Sequence, residues 1–518
     1  MTTPVHPPEI LQDRLLTITR ELPADLDTPV SVYLRLMGRG ASFLLESVTG
    51  GEQVARFSFI GVDASEIYIL EGHRLETRRN TGEISVEQLP DHRDPLDALR
   101  SIIEPFLRSP VPDLPRFAGG LVGYIGYEMM RFIEPSIGLD AHDRYPDAIF
   151  MHADTVVAFD HAFGKMILIA NSLVPEDRSA DLSAIRLELN ARLDQIQSRL
   201  EQPLNLEMPA AAPSAGTELR SNMTESEFSQ AVDIAKEHIA AGDIFQVVLS
   251  QRLERVTSAE PIHIYRTLRR LNPSPYMIFL DFGAPIDGQP FQIIGASPEM
   301  HVRLEDGTAS LRPIAGTRPR GKTPLEDQEL ETELLADPKE LAEHVMLVDL
   351  ARNDLGRVCE FGSVEVSEQM VVERYSHVMH IVSHTTGQLR AEFDAFDLLR
   401  ATFPAGTVSG APKIRAMQII DELEADARGP YAGAVGYIGY DGNSDTCIAI
   451  RTLTVVGDTV SVQAGAGIVA DSVPETEYQE TLHKAQALAE AITLAEQIGQ
   501  TQSSSDQTME VNGNAAGH

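Results

Sequence analysis

The sequence predicts a mixed α and β protein organised in two or more large lobes, and three observations carry that expectation. At 518 residues the chain exceeds what one ordinary hydrophobic core organises. A hydrophobic content of 43% with 23% charged residues is that of a globular chain folding in water. Runs with strand character and runs with helical period follow one another along most of its length.

Taken in order, "MTTPVHPPEI" has neither a basic leader region nor an apolar one. No stretch reaches the roughly 18 uninterrupted apolar residues of a membrane span, so a cytoplasmic location is expected. "SFLLESV", "TVVAFD" and "KMILIA" read as strands, and the stretch from Ala180 to Leu200 as a helix. The Pro- and Ala-rich run at 201–222 is a candidate linker between a lobe at 1–200 and a larger lobe at 223–499. "TESEFSQAVDIAKEHIAAG" then marks a helix. Thr224 and Glu227 form a capping box, Phe228, Val232, Ala235 and Ile239 share a face, and Gly242 stops it. A short buried strand follows in "GDIFQVVLS", where one polar residue, Gln246, stands among Ile244, Phe245, Val247, Val248 and Leu249. A buried amide must find partners, so Gln246 is either paired within the strand's surroundings or lines a site. Residues 500–518 are polar and poor in large apolar groups, and a disordered tail is expected there.

Charge and cysteine content exclude several classes. Lys and Arg number 42 against 77 Asp and Glu, a net charge of −35 that repels nucleic acids and anionic membranes. A small anionic substrate then needs a locally basic or metal-charged pocket. Two cysteines, Cys359 and Cys447, cannot build a disulfide framework or a four-thiolate metal site. "GGLVGYIGYE" (119–128) and "AGAVGYIGYD" (432–441) echo one another, and their glycines suit strands whose backbones approach closely. "TVSVQAGAGIVADSVPE" outlines a dinucleotide fingerprint at Gly465, Gly467 and Ala470. The second strand and later acidic residue of such a unit have no room, since one long helix and the tail consume the rest of the chain. The amides of Gly465, Ala466 and Gly467 could still hold a carboxylate.

Two helical stretches each offer a pair of glutamates on one face: Glu340 and Glu343 in "DPKELAEHVMLVDLARND", and Glu477 and Glu480 in "VPETEYQETLHKAQ", with Lys484 one turn later. Carboxylate clusters without Cys or paired His favour a hard cation that keeps some water, and Mg²⁺ suits that description. In an acidic chain such pairs also arise as solvated faces, and a purely structural or scaffold protein would leave them free to vary. "ATFPAGTVSGAPKIRAM" places Gly406, Thr407, Ser409 and Gly410 just before a helix, a natural anion cradle. "ERYSHVMHIVSHTTG" carries His377, His380 and His384, with His380 and His384 on one strand face.

In order along residues 220 to 490, "GDIFQVVLS", "NPSPYM", "GASPE", "RPIAGTRPRG", "KELAEHVMLVDLARNDLGRV", "VMHIVS", "FPAGTVSGAPKIRAM", "GAVGYIGY" and "QAGAGIVADSVPETEYQET" resemble the chorismate-utilising enzymes, and within them most closely the anthranilate synthase component I branch. The resemblance implies an α+β fold of large β-sheets packed face to face and surrounded by helices. It implies conversion of chorismate and ammonia to anthranilate and pyruvate, the committed step of tryptophan biosynthesis. A glutamine amidotransferase subunit, component II, would supply the ammonia, and the N-terminal lobe would serve regulation and partner contact. By position it implies Glu343 and Glu480 as Mg²⁺ ligands with Glu340 and Glu477 beside them. Gly316, Thr317, Tyr431, Arg451, Gly465, Ala466, Gly467 and Lys484 would bind substrate. Glu299 would protonate the departing C4 hydroxyl, and His380 and Thr407 would serve the later pyruvate elimination. Glu46, Ser47, Pro275, Tyr276 and Met277 would form a feedback pocket for L-tryptophan.

The resemblance also gives Gln246 a meaning. Water-adding relatives, of the isochorismate synthase type, carry a lysine base at this position, and a Gln cannot take a proton from water. Aminodeoxychorismate synthases carry a lysine where this chain has Ala315 in "PIAGT". Gln246 with Ala315 selects direct amination by ammonia, the anthranilate outcome; the other two chemistries are the alternatives.

Overall fold

The computed structural model describes residues 9–38, 40–47, 56–112, 114–142, 144–175, 182–204, 218–375 and 378–513, with side chains described as far as residue 497. Most of the predicted linker, 205–217, lies outside these residues, as does His377. The end of that linker is not loop: Arg220–Ser221 pairs with Leu253 and Glu254 as a short edge strand.

Two antiparallel sheets dominate, one of 13 strands and one of 12. Their strand orders place the N-terminal strands at one end of each sheet and the C-terminal strands at the other. In the larger sheet the two groups meet where Ser42–Glu46 pairs with Tyr276–Asp281, setting Glu46 opposite Met277. In the smaller they meet where Gly120–Ile125 pairs with Ala434–Gly439. The regions 1–200 and 223–499 therefore divide the chain but share both sheets.

That second junction is the repeated Gly/Tyr motif, and its glycines are there for backbone approach. Gly123 stands opposite Gly436. A Cβ on Gly123 would fall 1.9 Å from the Ile149 carbonyl oxygen, and one on Gly436 would fall 2.1 Å from that of Asp445. Neither clash is with a flexible side chain, so no larger residue fits without parting the strands.

The sheets pack face to face, because each alternates apolar residues on both of its faces. Phe43, Ile278, Leu280 and Ile293 of the larger sheet meet Val122, Tyr124, Ile149 and Tyr437 of the smaller in one buried cluster. The intervening residues Leu44, Met277, Phe279 and Ile294 point the other way, onto helices Pro29–Leu36, Leu182–Leu200, Pro261–Leu271 and Pro474–Gly513. The outer face of the smaller sheet packs on Leu96–Ile103 and Ala395–Thr402. Arg100 and Arg400 cross-link those two helices through Asp394, Asp397, Asp94 and Asp97.

The helix Glu225–Ala241 carries the expected capping box, with the Glu227 amide donating to Thr224 Oγ1 at 3.2 Å and the Thr224 amide to Glu227 Oε2 at 2.8 Å, and it ends at Gly242 with φ +82°. Removing such a cap costs about 0.5–2 kcal/mol. At the other end of the chain, the final helix runs backbone-helical to Gly513 rather than giving way to a disordered tail at 500. Gly499 costs such a helix only about 1 kcal/mol, and the Gln, Met and Glu residues beyond it are good helix formers. No helix among the described residues is long and apolar enough to cross a membrane.

Candidate active site

A cavity of about 770 Å³ opens between the C-terminal ends of the two sheets. The Gln246–Val256 and Thr459–Ile468 strands form one wall, and Ile314–Pro319 and Val378–Gln388 form another. Helices Pro338–Gly356 and Pro474–Gly513 flank it, and Pro298–Glu299, where the chain passes from one sheet to the other, lies in its lining.

All the sequence-predicted catalytic, substrate and metal residues line this cavity except Ala466. Strand alternation explains the exception. Val248 and Ser250 turn their amides away from the neighbouring strand, toward the Ser409 carbonyl and the Glu424 carboxylate. Their register partners Gly467 and Gly465 therefore face the free side, whereas Ala466, opposite Leu249, belongs to the ladder and buries its methyl in the core. Lys484 Nζ reports the same phase by donating to the Gly465 carbonyl at 2.9 Å. The glycine run is thus mid-strand rather than a nucleotide-binding turn, and its glycines make room. A Cβ at Gly465 would lie 2.7 Å from Tyr431 Oη, and one at Gly467 would lie 2.6 Å from Gln246 Nε2.

Gln246, buried in the wall, packs its amide over Gly467 and lies near enough to the Glu343 carboxylate to lower its pKa. Ala315, small and buried, lines the same cavity. Neither offers a base.

The glutamates arrive as predicted, two on each helix. Pro338 fills the first turn, and Asp337 caps it by accepting from the Lys339 and Glu340 amides. Burial raises the pKa of Glu343, the charge of Glu340 adds to it, and Glu480 acts on it from the opposite helix. Burial likewise raises Glu477. Two of the four are already paired: Glu480 with Lys484 at 2.7 Å and Glu340 with Arg318 at 3.3 Å. Among the described residues no three acidic, His or Cys side chains close into a ready metal cage. An all-oxygen set that offers one or two free carboxylates fits Mg²⁺, which keeps waters and takes further oxygens from its substrate.

Opposite charge is supplied by Arg451. It takes a left-handed backbone, φ +50°, and has no carboxylate within ion-pair distance among the described residues. Its Nη1 donates to the Lys484 carbonyl at 3.2 Å, and burial lowers its pKa. A desolvated guanidinium beside the Gly465 and Gly467 amides is a site for a carboxylate.

Glu299 is buried and accepts a 2.9 Å hydrogen bond from Thr407 Oγ1. Burial outweighs that bond and pushes its pKa up to about 8, so it is a neutral acid at pH 7. His380 Nδ1 lies 3.0 Å from the Gly316 carbonyl and 3.1 Å from Thr317 Oγ1. A carbonyl only accepts, so Nδ1 carries the proton and Nε2 keeps its lone pair; burial holds the ring neutral. An acid and a base thus share one cavity.

The predicted anion cradle contributes only Thr407 to these contacts. Ser409 Oγ bonds back to the Ala405 carbonyl, and Gly410, φ +145°, gives the backbone close passage beside Gln246. His384 bonds to Ser367 away from the cavity. Lys339, Tyr375 and Gln463 also line the cavity and were not singled out from sequence. Tyr375 stands edge-on to His380 with ring centroids 5.6 Å apart, and only its place in "ERYSH" could have signalled it.

A second, small cavity of about 40 Å³ collects all five residues predicted for tryptophan. Among the described residues, the buried Ser47 Oγ there has no hydrogen-bond partner. Glu46 is not free to receive an ammonium, however. Arg269 donates to it at 2.8 and 3.1 Å and Tyr265 at 2.5 Å. Sequence spacing could not reveal that the helix Pro261–Leu271 brings these donors over the strand.

The chorismate binding enzyme family matches residues 43–490. Anthranilate synthase component 1 of Pseudomonas putida is 47% identical over 483 residues, 92% of this chain and 94% of that one. The crystal structure of anthranilate synthase component I from Streptococcus pneumoniae superposes with a TM-score of 0.71 at 38% identity, covering 90% of this chain and 99% of that chain. The menaquinone-specific isochorismate synthase of Escherichia coli shares the fold, with a TM-score of 0.68 at 19% identity over 94% of this chain and 96% of its own.

Proposed function

Because the chain belongs to the chorismate binding enzyme family, we propose that it is the chorismate-converting component of an anthranilate synthase, joining chorismate and ammonia to give anthranilate and pyruvate. The observation that carries the choice within the family is the pair Gln246 and Ala315, which line the cavity and give it no amine at either position. Ammonia needs no base to become a nucleophile, and water does.

Arg451 and the Gly465 and Gly467 amides bind one carboxylate of the substrate. Glu343 and Glu480 would hold Mg²⁺, whose charge would offset that of the other carboxylate. Ammonia attacks C2 as Glu299 protonates the C4 oxygen. His380 Nε2 then removes the C2 proton as the C3–O bond breaks and the ring becomes aromatic; the enolpyruvate released takes up a proton at its methylene carbon to become pyruvate. Gln246 keeps its amide near Glu343 throughout. Replacing it with Lys puts an ammonium beside the metal carboxylates. Gln246→Lys is expected to lower anthranilate formation by about tenfold or more and to admit at most a trace of isochorismate, since a single residue rarely rebuilds a site. Product analysis by chromatography checks this, and a wild-type yield would reduce Gln246 to a structural role.

An amidotransferase partner, the second component implied by relatives named component 1, supplies the ammonia. A cytoplasmic location suits a biosynthetic enzyme of this kind. L-Tryptophan inhibits by binding at the cavity of Ser47, Pro275, Tyr276 and Met277. At about 40 Å³ that cavity holds only a few waters, so binding must part the strands around it. The segment from Asn272 to Met277 runs from the active-site wall into this cavity and carries the change. With Glu46 paired, a backbone carbonyl accepts from the ligand's ammonium. Ser47→Phe is expected to raise the tryptophan concentration for half inhibition by about tenfold or more while leaving uninhibited turnover intact. Equal inhibition of variant and wild type in the same assay would remove this pocket from the account.

A further inference from the structure

Behind Glu299 lies a third cavity, of about 40 Å³, that nothing in the reaction so far uses. Glu299 and Thr407 line both it and the main cavity, so the two spaces meet at the acid. Its other polar lining is His301, Arg312, Asp354 and Thr402. His301 is buried and held between two hydroxyls, Nδ1 at 3.1 Å from Thr446 Oγ1 and Nε2 at 3.3 Å from Thr402 Oγ1. Asp354 is paired to Lys413 at 2.9 Å. Arg312, paired with Glu373, is partly exposed and marks the outer end.

A water molecule needs about 10–15 Å³ of such space and two to four polar partners. The chamber offers room for about three or four waters by that measure, and the carboxyl oxygens of Glu299 and Asp354 and the hydroxyl oxygens of Thr402 and Thr407 keep lone pairs to hold them. From this geometry we infer that the chamber behind Glu299 is a water site that receives the oxygen leaving C4 and passes it outward past Arg312. The inference rests on the proposed amination. In that step the C2–N bond forms and the C4–O bond breaks. The Glu299 proton departs with the oxygen as water, and the excess proton on the newly bonded nitrogen restores the balance. A water formed beside Glu299 can enter the space that Glu299 and Thr407 border directly, without passing the bound substrate. Ammonia is the competing occupant, but the chamber touches the leaving-group acid and not Gln246 on the nucleophile's side.

Ala351 and Leu350 form part of the chamber's apolar wall, and Ala351→Leu fills it without touching the substrate cavity. A crystal structure of the wild-type protein should show ordered water within hydrogen-bond distance of Glu299, Thr407 or His301 in the chamber, and one of the variant should show it dry. This arm is independent of the reaction. With chorismate and ammonium, Ala351→Leu, or the gentler Ala351→Val if the first does not fold, should lower kcat by about fivefold or more with KM for chorismate within about twofold. A dry wild-type chamber, or a filled chamber with unchanged kcat, overturns the inference. A raised KM for ammonia at unchanged kcat also overturns it, making the chamber the ammonia entrance. Absence of anthranilate from the wild type would instead strike the proposed function and leave the crystallographic result standing.

Discussion

Glu299→Gln is expected to cut anthranilate formation by about 10²–10⁴-fold, the range a positioned general acid contributes, while leaving the fold intact. The sign follows from burial. Glu299 has its pKa raised from an ordinary 4.5 to about 8, so the folded protein prefers its neutral form. The stability linked to that preference is fully present below pH 4.5 and is lost as pH rises through about 8. A Gln keeps the shape and can never ionise, so the variant should melt no lower than wild type at pH 7 and higher above pH 8. In wild type kcat should fall above about pH 8 as the acid deprotonates. That alkaline limb should be missing from the residual activity of the variant. A variant that is both active and unstable would mean that Glu299 is a packing residue.

Glu343→Gln and Glu480→Gln are each expected to reduce turnover by at least about a hundredfold, as the loss of several kcal/mol of charge stabilisation requires. Exhaustive EDTA treatment of wild type should do the same, reversed by Mg²⁺. A thermal scan separates metal binding from catalysis. Mg²⁺ should raise the Tm of wild type and leave that of either variant nearly unmoved. Without metal, Glu343→Gln should melt no lower than wild type, because it removes a half-buried carboxylate raised in pKa by burial and by its neighbour Glu340. Undiminished activity after EDTA would remove the metal from the account.

The features read correctly from sequence are those whose physical cause is local. The capping box at Thr224, the glutamate pairs on single helical faces and the odd polar residue in the Gln246 strand all depend on spacing within a few residues. The Gly/Tyr echo announced close backbones, though not that the two copies pair with each other. Features set by distant partners were out of reach. Whether Ala466 or Gly465 faces the substrate depends on the phase of pairing with Gln246–Val256. Whether Glu46 is free depends on Arg269 and Tyr265, more than 200 residues away in sequence. The family motifs supplied what spacing could not, the convergence of two helices and two sheets on one cavity, because each motif carries the outcome of that packing without its geometry.

The most direct test of the central claim is product identity. The purified chain, alone, is given chorismate, Mg²⁺ and ¹⁵N-labelled ammonium, and the products are followed by anthranilate fluorescence and mass spectrometry. The chain has no tryptophan of its own, which keeps the protein background low. The account predicts anthranilate carrying one ¹⁵N, with one pyruvate for each anthranilate and dependence on Mg²⁺. Accumulation of isochorismate, or of an aminated product that retains its enolpyruvyl group and never becomes anthranilate, would contradict it.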